Sequence, residues 1–171
     1  FNTNKLVLVP ATLFVALLSF LGGTQYEKQV KYILEQPNVS TTTVRNLPTK
    51  EKVKRVIDGD TIEIANGQIV RYVGVNAPNN GEPFEEEATE ANTNLVQGKT
   101  VILEYDAYIS DRFGRVLAYA VVDGKNVSIE LARLGLVKVN IYKDRRALKY
   151  QDELLKAQVD AHEKKQGIWS Q

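Results

Sequence analysis

Cysteine is absent from the 171-residue chain and His162 is its one histidine. Thiol catalysis, disulfides, Cys-based zinc sites and His-rich metal sites are thereby excluded. Chemistry must rest on carboxylates, guanidiniums and amides. Those worth following are Asp60 after Asp58-Gly59, Arg71, Asn76 and Asn79 on either side of Ala77-Pro78, and Arg115 four residues after Asp111. A carboxylate is a hard oxygen ligand for cations, and a guanidinium matches phosphate oxygens bidentately. The same residues have plainer uses. Asp60 can satisfy the amides of its own turn, Asp111 and Arg115 can pair across a hairpin, and Arg71 can bridge to Asp60. The acidic run Glu82–Glu90 reads as a solvated helix face, and His162 as a surface helix residue.

The elements that must position these groups follow from periodicity. Lys52–Ile57, Thr61–Ala65 and Gln68–Val75 alternate as strands, with Asn66-Gly67 as a hairpin turn between the second and third. A helix is predicted over Pro83–Gln97, with Glu85, Glu86 and Glu87 at its dipole-favoured start and Gly98 after its end. Lys99–Tyr105 and Arg115–Val122 read as further strands, Val127–Leu134 as a short helix and Asp144–Gln166 as a long one. This pattern gives an α+β chain: five short strands forming a partly closed barrel, with about three helices.

Three segments resemble the staphylococcal nuclease (thermonuclease) family: Val56-Ile57-Asp58-Gly59-Asp60-Thr61, Arg71-Tyr72-Val73-Gly74-Val75-Asn76-Ala77-Pro78, and Asp111-Arg112-Phe113-Gly114-Arg115-Val116-Leu117-Ala118-Tyr119. The Leu134-Gly135-Leu136 turn and the terminal Gly167-Ile168-Trp169-Ser170 are similar too, and the order and spacing match. The resemblance implies a five-stranded OB-fold barrel with three helices, and Ca²⁺-dependent cleavage of DNA and RNA phosphodiesters. It assigns Asp60 to metal ligation and Arg71 and Arg115 to clamping phosphate. Two positions depart from the family pattern. Asn76 stands where the family has its second metal-binding aspartate, and Asn79 where it has the glutamate that activates water.

Asn76 still offers an amide oxygen but no charge, and fewer carboxylates weaken Ca²⁺ binding. Asn79 cannot accept a proton at ordinary pH, and losing a general base lowers the rate by about 10²–10⁴-fold. Glu82, Glu85 or Glu86, a few residues downstream, can substitute only by folding back into the site. Catalysis is therefore expected to be impaired, with no cofactor in that case and Ca²⁺ if the site is active.

Leu6–Gly23 is uncharged and apolar all round. At 1.5 Å per residue, about 18–20 such residues just cross a hydrocarbon core of roughly 30 Å. A cleavable signal and a buried core helix are alternatives. Leu21-Gly22-Gly23 is a poor cleavage site, and a core helix is usually amphipathic. The expected organisation is an anchor over 1–24, a connector over 25–51 and the nuclease-like domain over 52–171. Lys and Arg do not distinguish the two flanks, so topology is unreadable, with the non-cytosolic face favoured. The chain has no methionine and begins with Phe1, so its start is expected to lie upstream.

Three functions follow. The favoured one is a membrane-anchored, catalytically impaired nuclease-like domain acting as a structural or docking subunit among other membrane proteins. The alternative is an active, anchored, Ca²⁺-dependent nuclease. A non-catalytic nucleic-acid binder is disfavoured, because from Lys50 onward eighteen Lys and Arg face nineteen Asp and Glu, and nucleic-acid binding calls for a basic patch. Trp169 and the tyrosines are read as packing residues rather than a base-stacking platform.

Overall fold

A computed structural model describes residues 47–142 and 146–170. The expected anchor and nearly all of the connector lie outside the described residues. Among those that are described, no helix is long and apolar enough to cross a membrane. A compact unit begins at Pro48.

Strand β1 (Lys50–Asp58) pairs antiparallel with β2 (Thr61–Ile64) and also with β5 (Thr100–Glu104). The Asn66-Gly67 turn returns the chain from β2 to β3 (Ile69–Tyr72), with the Gln68 amide bonded to the Asn66 side chain at 2.9 Å. Strand β5 pairs with β6 (Val116–Val122), and β6 lies parallel to β3, so five strands close into the expected barrel. Short β7 (Lys125–Asn126) extends β6 through the Asp123-Gly124 turn.

The barrel is filled from all sides. All four residues of β2 are buried, and Ile62, Ile64, Val70, Ala118 and Tyr119 have no exposed surface. Helix α1 (Glu85–Val96) lies on β1, while α2 (Val127–Arg133) packs on β6 and on α3 (Gln151–Glu163). Asn126 caps α2 by accepting from the amides of Ser128 and Ile129, the pairing that suits a helix start.

Two expected elements are shorter than the sequence suggested. The third strand does not run from Gln68 to Val75. It stops at Tyr72, turns at Gly74 and resumes as β4 (Val75–Asn76), which pairs with β8 (Lys138–Val139). Gly74 has φ 78°, and a Cβ there would lie 2.7 Å from Leu154 Cδ1, so only glycine fits. The last helix begins at Gln151, and residues 146–150, expected to belong to it, are not helical. Ahead of it, Lys149 is drawn to the barrel instead: its amide bonds Asp106 at 2.7 Å and its ammonium Glu104 at 2.5 Å. Those barrel contacts hold the segment in a non-helical path.

Candidate active site

Register brings the site together. Arg71 on β3 sits opposite Thr61 of β2 on one side and Leu117 of β6 on the other. Its neighbours are therefore the turn carrying Asp60 and the loop carrying Arg115. In the β1–β2 turn, Asp58 accepts the Asp60 amide at 2.9 Å, the local satisfaction expected of such a residue. Gly59 lets the turn press against its surroundings, since a Cβ there would lie 2.7 Å from both Ala77 Cβ and Ala88 Cβ.

Asp60 is only 5% exposed. One of its oxygens meets Arg71 Nε at 2.9 Å and the Thr61 hydroxyl at 3.0 Å, and the other accepts the Ala77 amide at 2.6 Å. Arg71 is committed at its other nitrogens too. It donates from Nη1 to the Tyr72 carbonyl and from Nη2 to Asn76 Oδ1, each at 2.6 Å. Burial raises the Asp60 carboxyl above its ordinary range against the pull of Arg71, and burial likewise lowers the Arg71 guanidinium. The expected bridge from Arg71 to Asp60 is present, but the amide that the Asp60 carboxylate satisfies is that of Ala77 and not one of its own turn, where Asp58 takes that role.

The second arginine is held more loosely. Asp111 accepts the amides of Phe113 and Arg115 at 2.9 and 3.0 Å, and Arg115 Nε at 2.7 Å. Burial acts to raise the Asp111 carboxyl, but these donors outweigh it and leave the group below its usual range. Arg115 gives only Nε to this pairing. Phe113 is 69% exposed, with the guanidiniums of Arg112 and Arg115 at 4.8 and 5.6 Å from its ring centre.

These residues line a cleft of about 630 Å³, together with Arg146, Tyr108 and Tyr142. Among the described residues, four arginines therefore face one cavity, against two aspartates, Asp106 and Asp111. The near-neutral average over the domain concealed this local patch. Tyr72 and Tyr119 are core residues as expected, but Tyr108 and Tyr142 are exposed at the cleft. Nothing in their local sequence set them apart from packing residues, and the fold places both on the lining of the cavity that Phe113 also lines.

Asn79 lies outside the cleft lining. Its amide and its side-chain Nδ2 donate to the two carboxylate oxygens of Glu82 at 2.7 and 3.1 Å, and it accepts the Glu82 amide at 2.9 Å. Hydrogen bonds from Asn79 hold the Glu82 carboxyl below its usual range, helped by the charge of Lys138.

The donors fit Ca²⁺ poorly. That ion takes six to eight oxygen ligands, several of them carboxylate. Here Asp60 already accepts three hydrogen bonds or ion contacts, and the Asn76 amide oxygen is bound to Arg71. Among the described residues, no three His, Asp or Glu side chains converge on a point that could hold an ion.

Barrel, cleft and motif spacing agree with a family model described as a staphylococcal nuclease homologue, which matches residues 69–171. The chain belongs to the staphylococcal nuclease family. The matched span contains Arg71, Asn76, Asn79 and Arg115, and Asp60 lies just ahead of it. The chain is 35% identical to a thermonuclease of Staphylococcus hyicus over 177 residues, covering 98% of this chain and 97% of that protein. It is 37% identical to endonuclease YncB of Bacillus subtilis (strain 168) over 126 residues, 68% of this chain and 59% of that one. A thermonuclease of Staphylococcus intermedius is 33% identical over 126 residues, 68% of this chain and 74% of its own.

Proposed function

We propose that this protein is a membrane-tethered, catalytically impaired member of the nuclease family, whose domain works by holding a phosphodiester strand in its arginine cleft. One observation carries the reading: both asparagines are bound to other parts of the chain. Asn76 holds Arg71, and Asn79 holds Glu82. An amide cannot act as the base, and Glu82, the first acid downstream, has both carboxylate oxygens engaged by Asn79. The binding chemistry is better kept. Arg112, Arg115 and Arg146 supply positive charge, and Phe113 supplies an exposed ring. Charge along a groove with aromatic faces for bases suits a single strand. This reading departs from the sequence expectation, which took docking to be to other membrane proteins and disfavoured a nucleic-acid binder on net charge; Leu6–Gly23 is proposed as its tether to the membrane.

Cleavage of single-stranded DNA in millimolar Ca²⁺ tests this. The expected outcome is that wild type cuts about 10²–10⁴-fold more slowly than an Asn76→Asp/Asn79→Glu double variant. Wild-type cutting as fast as the double variant, and abolished by Arg115→Ala, would overturn the impaired reading. The tether is tested by expressing the full chain and extracting membranes with alkaline carbonate. Release into the supernatant would remove it.

A second reading is an active Ca²⁺-dependent nuclease. The near end-to-end match to a thermonuclease favours it, and the same cleavage measurement decides between the two.

A further inference from the structure

Asn92 stands out in α1. It has no exposed surface, and the buried residues flanking it one turn away on either side are Ala88 and Val96. Asparagine is a poor helix former, and an apolar residue would fill such a stripe more simply. A buried carboxamide persists where its hydrogen bonds are needed. Here both ends are used. Asn92 Nδ2 donates to the Asp58 carbonyl at 2.8 Å, and the Tyr72 hydroxyl donates to Asn92 Oδ1 at 2.9 Å. The carboxamide can point only this way, because the Asp58 carbonyl can only accept.

The two partners lie on the two halves of the site. Asp58 belongs to the turn that presents Asp60. Tyr72 follows Arg71, its carbonyl receives Arg71 Nη1, and its amide donates to the Asp60 carbonyl at 2.9 Å. One side chain of α1 therefore spans the gap between the element bearing the buried carboxylate and the element bearing its guanidinium partner. Ala88, one turn earlier, presses on Gly59 of the same turn, so the helix touches that turn at two points.

We propose that Asn92 is a positioning residue of the cleft: through Asp58 and Tyr72 it sets the separation at which Asp60 and Arg71 meet, and so the placement of the inner wall against a bound strand. The effect on binding rests on the proposed strand-binding role. The effect on the Asp60–Arg71 pair does not.

The test uses Asn92→Leu, with Tyr72→Phe as a milder variant that removes one of the two bonds, and Asn94→Leu at an exposed position of the same helix as control. The first readout is the ¹⁵N–¹H signal of Arg71 Nε, which the contact with Asp60 shields from exchange. The expected result is that the signal moves and exchanges faster in Asn92→Leu and Tyr72→Phe but not in Asn94→Leu. An unchanged signal in a folded Asn92→Leu protein overturns the proposal. If that variant does not fold, Tyr72→Phe decides in the same way. The second readout is affinity for a single-stranded oligodeoxynucleotide without metal, expected to fall about tenfold, the loss that accompanies one weakened charge-assisted hydrogen bond. A wild-type protein that binds no oligonucleotide would remove the strand-binding role, while the Arg71 signal still decides the positioning role.

Discussion

At the scale of single residues, the site is defined by what each polar group has already bonded to. Arg71 and Arg115 look equivalent in the sequence, yet they differ in the fold. Arg71 gives all three nitrogens to Asp60, Tyr72 and Asn76, whereas Arg115 gives only Nε to Asp111. Arg115 is thus better placed to receive a phosphate. Phe113 carries a separate prediction. Its ring is mostly exposed, so Phe113→Ala is expected to leave thermal stability within about 0.5 kcal/mol. The same change is expected to weaken binding of a single-stranded oligonucleotide by about 1–3 kcal/mol, the usual value of one stacked base. Fluorescence anisotropy measures the binding, and unaltered affinity would show that the ring does not stack. The motif residues were legible in the sequence because each motif is local. Asn92 was not, because its partners are 34 and 20 residues away.

At the scale of elements, the cleft depends on two interruptions that local pattern does not announce. The first is Gly74. It lets the chain leave β3 and turn into β4, which carries Asn76 to the cleft edge. Gly74→Ala adds a Cβ to a left-handed residue and drives it against Leu154. A loss of about 2–4 kcal/mol is expected from the two effects together, measured by urea denaturation. A loss under about 0.5 kcal/mol would mean that α3 yields at this contact. The second interruption is the late start of α3. Alternation and helical periodicity placed strand and helix cores correctly, because those patterns record which face is buried. They missed where each element stops, because the stops are set by Leu154 and by Asp106, residues far away in the chain.

At the scale of the whole molecule, charge matters through its arrangement rather than its sum. Three arginines at the outer cleft, Arg112, Arg115 and Arg146, predict salt-sensitive strand binding. For a single strand, log affinity falls with log salt at about −0.7 per phosphate neutralised. Arg146→Ala is expected to make that slope shallower by about 0.7, and an unchanged slope would place the strand elsewhere. Acid stability follows from a second cluster. Hydrogen bonds from Lys149 and Tyr150 hold the Glu104 carboxyl below its usual range. At Asp106 burial pushes upward, but the donors Lys149, Ala107 and Tyr119 and the charge of Arg146 outweigh it. A carboxyl with a lowered folded pKa adds stability that is present above its unfolded pKa and is lost as pH falls through the folded one. The melting temperature is therefore expected to hold from pH 7 to about 5 and to drop below about 4. Glu104→Gln should show a smaller drop over that interval, and an equal drop would remove Glu104 from the effect.

The sequence by itself determined an α+β chain, five short strands in a partly closed barrel and the residues at the motif positions. Those features rest on local alternation, turn chemistry and short spacings, which a linear chain displays directly. Its resemblance to the family also places asparagines, Asn76 and Asn79, where a second carboxylate and a base are expected. Only the tertiary structure decided what those asparagines bind, that Arg71 is engaged while Arg115 keeps its terminal nitrogens for the cleft, and that four arginines gather beside exposed aromatic rings in a domain with no net positive charge. The asparagine pairings are short-range, three and five residues apart, but which donor meets which acceptor depends on side-chain orientation in folded turns, and the gathering of the arginines depends on distant segments meeting when β3 closes against β6.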